Sequence, residues 1–163
     1  MSARHFNIAD LFEIVADTVP EREALVCGEA RLSYAQLEER ANRLAHYLAA
    51  QGIGAGDKVG LYLYNCNEYL EGMLACFKVR AVPVNVNFRY VDEELSYILN
   101  NAEMAGCIHH REFVPHLAAV RGASPRLKTL ISVDDGTAFD PATIGAIGYE
   151  AALAQGSPAR NFA

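Results

Sequence analysis

The sequence predicts an α/β fold, a mainly parallel sheet with helices on both faces, preceded by a helix and a short hairpin. Three observations carry that reading. Short apolar runs recur at "KVGLYLY" (58–64), within "FKVRAVPVNVNFRY" (77–90), at "AGCIHH" (105–110) and at "TLISV" (129–133). Stretches of helical period separate them, and strand and helix in alternation imply right-handed crossovers between parallel strands. The chain has 163 residues, 52% hydrophobic and 21% charged, which suits one folded domain with a sizeable core.

Each element has its own signal. Asn7 can cap a first helix whose Ile8, Leu11, Phe12, Val15 and Val19 form one apolar stripe, and Pro20 ends it. "ALVC" (24–27) and "RLSY" (31–34) flank Gly28, Glu29 and Ala30, which reads as a hairpin. Ser33 and Gln36 have capping-box spacing and open a second helix, with Leu37, Ala41, Leu44, Ala45 and Leu48 on its apolar face. "GIGAGD" (52–57) leaves that helix and enters a strand, the wrong direction for a phosphate cradle, so Gly52 is read as a C-cap and residues 54–57 as a turn.

Asn65 and Glu68 then offer a cap for a helix carrying Tyr69, Leu70, Met73, Leu74 and Phe77. The strand that follows is read with its valines inward, and Pro83 places it at a strand start or a sheet edge. "VDEELSYILNN" (91–101) has acids in its first turn, favourable beside the helix dipole, and Leu95, Ile98 and Leu99 inside. Strand (105–110), helix (112–120) and strand (129–133) follow. Beyond a loop rich in Asp, Gly, Ala and Thr, "IGYEAALAQG" (147–156) reads as one short helix.

Composition narrows the function. A net charge of −6, with 20 acidic residues interspersed among 14 basic ones, argues against nucleic acid as a partner. No apolar run approaches a membrane span and the first residues lack a signal peptide's apolar region, so a cytoplasmic protein is expected. Cys27, Cys66, Cys76 and Cys107 contain no C-x-x-C pair and are read as reduced, buried thiols. His109 and His110 fall on opposite faces of a strand and are read as a surface or satisfied strand-end pair; His116 borders the core; Asp134, Asp135 and Asp140 solvate a loop. No nucleophile elbow, zinc-protease motif or phosphate loop occurs, so no residue is assigned a catalytic, cofactor-binding or metal-binding role.

Several segments taken in order resemble the start of the AMP-forming acyl-CoA synthetases of the adenylate-forming superfamily. Leu32, Ser33, Tyr34 and Leu37 match an L-[TS]-Y-x-x-L motif, and Gly52, Gly56 and Asp57 match a G-x-x-x-G-D turn. "FKVRAVPVN" (77–85) matches a motif of the form K-A-G-A-x-x-V-P-x-N, and "VPVNVNFRY" (82–90) followed by "EEL" (93–95) most resembles the fatty-acid branch. Arg80 departs from the pattern, standing where glycine is usual. A left-handed cap there would cost a non-glycine residue about 1 kcal/mol, partly recovered by Lys78 and Arg80 at the negative helix end.

The resemblance implies that residues 1–163 are the N-terminal part of a large AMP-binding domain. Residues 1–133 would form the α/β unit, and 134–163 a loop and short helix leading toward a phosphate loop that the sequence does not contain. It further implies ATP, magnesium and coenzyme A as requirements of a complete enzyme, a fatty acid as its substrate, and no catalysis by this chain alone. Two alternatives of other kinds stand beside it: a self-associating interaction module with uncovered apolar surface or an open sheet edge, and a small nucleotide-binding α/β protein.

Overall fold

The computed structural model describes residues 6–162. Its centre is a parallel five-stranded sheet built from β3 (Lys58–Tyr62), β4 (Val82–Asn85), β5 (Met104–His110), β6 (Thr129–Val133) and β7 (Ile147–Gly148), in the spatial order β4-β3-β5-β6-β7. β1 (Glu23–Cys27) and β2 (Ala30–Ser33) form a separate antiparallel hairpin that turns at Gly28, where φ is +57°. The fold class agrees with the sequence reading. One strand was not expected: β7 has two residues, too few for a period, and lies within the stretch read as helix.

The helices are α1 (Ile8–Thr18), α2 (Tyr34–Ala50), α3 (Asn67–Lys78), α4 (Asp92–Asn101), α5 (Val114–Val120) and α6 (Tyr149–Ala154). Helices α2, α3 and α6 cover one face of the sheet. Leu44, Leu48, Ala75, Ala152 and Leu153 pack there with Val59, Leu61, Ile108 and Ile131. Helices α4 and α5 cover the other, where Leu95, Leu99, Val114 and Leu117 meet Tyr62, Met104, Cys107 and Leu130. Short 3-10 turns, Arg111–Phe113 and Pro141–Ile144, lead into α5 and β7.

Both expected N-terminal caps on the first two helices are present. Asn7 and Asp10 form a capping box on α1, and Ser33 and Gln36 form one on α2. The cap expected from Asn65 is not there: α3 begins after Cys66, which offers no side-chain hydrogen bond.

Two helices lie differently from their apolar patterns. α1 buries Ala9 and Ala16 and turns Ile8, Leu11 and Val15 outward. It is held instead by polar contacts, Glu13 Oε1 to Lys78 Nζ and Asn7 Nδ2 to the Phe77 carbonyl. In α3 the expected stripe is rotated away, with Leu70 exposed and Glu71, Gly72, Ala75, Cys76 and Lys78 buried. Gly72 explains this: a Cβ there would meet Leu61 Cδ2 at 3.0 Å and Ile108 Cδ1 at 3.1 Å, so α3 lies too close to the sheet for large side chains.

β4 lies at one edge of the sheet, as Pro83 suggested, with β7 at the other. Its valines are not uniformly inward: Val86 is buried, Val84 half-buried and Val82 exposed. Arg80 has φ +61°, the left-handed conformation its replacement of glycine implied. Its carbonyl accepts from the Gly56 N–H, which ties the end of α3 to the turn before β3.

Residues 156–162 run back across α1, α2 and α3. Asn42 Nδ2 donates to the Pro158 carbonyl, Arg43 to the Gly156 carbonyl, and Arg160 to Glu38 and Asp17. Gly156 lies so close to α2 that an added Cβ would sit 1.9 Å from the Arg43 carbonyl oxygen.

Candidate functional site

Strand order locates the place to look. From β3 the chain crosses to β4 on one side and then to β5 on the other, so the order reverses between β3 and β5. In open parallel sheets, the crevice outside the carboxyl ends of strands at such a switch point is where ligands bind.

Aromatic side chains gather there. Tyr62 and Phe113 stack with centroids 4.1 Å apart, and Tyr64 lies 4.8 Å from Phe88, 5.4 Å from His110 and 5.5 Å from Phe113. Beside them is a cleft of about 410 Å³ walled by Tyr64, Tyr69, Phe88, Asn85 and Asn87. Tyr64 and Phe88 stay partly open to solvent at its rim. Flat ring faces and side-chain amides suit a planar or extended apolar ligand with a few hydrogen-bonding groups.

The two histidines behave differently. His110 Nδ1 accepts from the Tyr64 N–H at 3.1 Å, so in the neutral ring the proton is on Nε2. Burial lowers its pKa, while Asp135, Glu68 and Glu112 pull the other way. His109 points to the α4 and α5 side and is fully buried, not at the surface. Its Nδ1 donates to the His110 carbonyl at 2.8 Å, which leaves Nε2 without a partner. Ser132, its neighbour across β5 and β6, also has an unpartnered Oγ. Burial holds the His109 ring neutral, its pKa lowered to about 4.

The acidic residues after β6 organise loops. Asp134 pairs with Arg111 at 3.0 Å, Asp135 accepts from the Glu112 and Thr137 N–H groups, and Asp140 caps the 3-10 turn before β7. His116 faces Asp92 at 3.9 Å on a half-exposed surface. Among the described residues, no group of three or more His, Cys, Asp or Glu side chains could hold a metal ion. No helix among them is long and apolar enough to cross a membrane. Cys27 and Cys66 are half-buried rather than buried, while Cys76 and Cys107 lie in the core; all four are free.

Sequence reasoning missed the buried charges. Glu71, fully buried, accepts from Arg40 Nε at 2.7 Å and from the Tyr149 hydroxyl at 2.7 Å, and Arg40 also reaches Glu150 at 2.6 Å. Burial pushes the Glu71 carboxyl up, against the lowering pull of Arg40 and Tyr149. Lys78, buried as well, lies 2.5 Å from Glu13 and 3.0 Å from Glu38. In the sequence, these side chains look like any charges on a helix surface.

Fold and crevice define a class first: a parallel α/β protein with an aromatic cluster at its strand switch point and a cleft beside it, between the carboxyl ends of β3 and β4. A family model described as "AMP-binding enzyme" matches residues 12–157, and the chain belongs to that family. It is 53% identical over 156 residues to 3-oxocholest-4-en-26-oate–CoA ligase of Rhodococcus rhodochrous, covering 96% of this chain and 28% of that protein. It is 48% identical over 157 residues to a medium/long-chain-fatty-acid–CoA/3-oxocholest-4-en-26-oate–CoA ligase of Mycobacterium marinum, again covering 96% of this chain and 28% of the relative.

Solved structures agree on the fold. The anthranilate CoA ligase AuaEII superposes with TM-score 0.87 at 22% identity, over 95% of this chain and 29% of that one. The N-terminal domain of FACL13 from Mycobacterium tuberculosis superposes with TM-score 0.76 at 27% identity, over 96% of this chain and 38% of that one. The chain thus spans 28% of the length of these curated relatives.

Proposed function

We propose that this chain forms the N-terminal portion of an AMP-forming acyl-CoA ligase whose substrate is a large apolar carboxylic acid, a fatty acid or a steroid side-chain acid. The observation that carries the reading is 53% identity across nearly the whole chain to a ligase of that kind. In the complete enzyme the carboxylate attacks ATP, giving an acyl-adenylate and pyrophosphate, and the coenzyme A thiol then displaces AMP. Residues 1–133 supply most of its α/β unit, and within 134–163 a loop leads to β7 and α6, which complete the sheet and its cover.

The residues present do not fit the polyphosphate. The carboxyl edge of the sheet carries Glu68, Glu112, Asp134 and Asp135 against Arg89 and Arg111, a net negative charge that repels phosphates, and among the described residues no group of three or more His, Cys, Asp or Glu side chains could hold the magnesium. No step of the chemistry is therefore routed through this chain. It supplies a rigid layered body and a crevice that presents Tyr64, Phe88, Asn85 and Asn87.

The purified 163-residue chain, given ATP, magnesium and a medium- or long-chain fatty acid, is expected to release no pyrophosphate above a mock preparation. Release above mock overturns this reading. A second reading, self-association, is favoured by the outward stripe of Ile8, Leu11 and Val15 on α1. Light scattering separates the two, since a stable monomer at high concentration counts against self-association.

A further inference from the structure

Cys27 ends β1 and Cys66 caps α3, far apart in sequence but adjacent in the fold. Cys27 Sγ lies 3.8 Å from the carbonyl oxygen of Asn65, the residue directly before Cys66. Both cysteines line one cleft of about 260 Å³ between the hairpin and α3, with Val26 and Leu70 at its open side. Both are free and half-buried, whereas Cys76 and Cys107 are enclosed in the core. Gly28, next to Cys27, turns with φ +57°, and Cys66 is in extended backbone outside the helix, so neither thiol is locked inside a helix.

We propose that Cys27 and Cys66 form a reversible intramolecular disulfide that ties the hairpin to the N-terminus of α3. With a peroxide as oxidant, the Cys27 thiolate attacks one peroxide oxygen and breaks the O–O bond, giving a sulfenic acid and hydroxide. The Cys66 sulfur then attacks the Cys27 sulfur, the S–S bond forms, the S–O bond breaks, and hydroxide leaves and takes up the Cys66 proton as water. In total, two thiols lose two electrons and two protons, and one peroxide becomes two waters. A low-molecular-weight thiol reverses the bond by exchange. Burial pushes the Cys66 thiol up to about 12, so Cys66 is the resolving sulfur and cross-linking accelerates with rising pH.

The test treats the full chain with hydrogen peroxide at low protein concentration, quenches with iodoacetamide and maps tryptic peptides by mass spectrometry without reduction. The expected product joins peptide 23–31 to peptide 59–78 in monomeric protein and is reversed by dithiothreitol. Because peptide 59–78 also contains Cys76, the product must persist in Cys76→Ser and vanish in Cys27→Ser and in Cys66→Ser. Closing the loop should raise Tm by about 5–10 °C in the wild type and in Cys76→Ser, and in neither Cys27→Ser nor Cys66→Ser. Oxidation of Cys27 to its sulfinic acid without a cross-link, or a cross-link that survives Cys66→Ser, overturns the proposal.

Discussion

The two faces of the sheet solve the burial of polar groups in opposite ways. Beneath α2, α3 and α6, charge is buried and matched: Glu71 with Arg40 and Tyr149, Lys78 with Glu13 and Glu38. Beneath α4 and α5 the buried polar side chains are neutral, with His109 Nε2 and Ser132 Oγ without partners; single oxygens of Glu38 and Asn42 on α2 lack one too, but those side chains are otherwise hydrogen-bonded. A matched buried ion pair adds little net stability over an apolar replacement, yet removing one partner is costly. An unmatched neutral group has already incurred its desolvation cost, so removing it relieves the fold. The same location, a packed interior, therefore gives mutations of opposite sign.

The largest expected effect breaks the matched face. Lys78→Ala should destabilise the chain by about 3 kcal/mol, measured as a lowered urea midpoint, because Glu13 and Glu38 both lose their shared buried cation and Glu38 is left to Arg160. Lys78→Met restores the volume but not the charge and separates the two contributions. If both variants unfold at the wild-type midpoint, the matched network does not hold this face together.

The next effect sharpens the contrast through pH. The His109 pKa is lowered to about 4 in the folded chain, from 6.5 when unfolded. Between those values the unfolded chain binds a proton that the folded chain refuses, so stability falls as pH drops from about 6.5 to 4 and the full penalty is present below 4. His109→Phe should remove that dependence, gaining about 3 kcal/mol over the wild type at pH 4 relative to pH 8 in parallel denaturation series. Parallel curves for the two proteins across that range would exclude a buried neutral histidine.

The smallest effect lies on the rim between the two faces. Arg80→Gly relieves a left-handed residue and should stabilise by about 1 kcal/mol or less, since glycine also loosens the unfolded chain. Calorimetry resolves this as a small rise in Tm, and a fall would show that the Arg80 side chain contributes more than its backbone costs.

Much of the fold was legible because local chemistry agreed with it. Ser33 and Gln36 announced α2, Pro83 announced an edge, and Arg80 in place of glycine announced a positive φ. What escaped depended on distance in the chain. The face of α3 is set by how close Gly72 brings it to Leu61 and Ile108, which a helical wheel weighted toward large residues cannot express. An apolar stripe on α1 shows that a stripe exists, not which side of the helix the body takes. The aromatic cluster needs the strand order, which joins Tyr64, Phe88 and His110 through pairings that no local window contains. Glu71 and Lys78 went unnoticed because charge argues for exposure until the partners are known.

The tail that crosses α1, α2 and α3 has a consequence for how the chain emerges from a ribosome. Arg160 and Asp17 are 143 positions apart, and Arg160 and Glu38 are 122 apart. Of the described helices α1 is synthesised before the others, yet its stripe faces outward and one of its ion-pair anchors, Asp17, must wait for Arg160. It is thus among the last of them to be fully fastened. Before and after that fastening, Ile8, Leu11 and Val15 stay outward, and while the helix is loose they are open to whatever chaperone or neighbouring nascent chain is nearest.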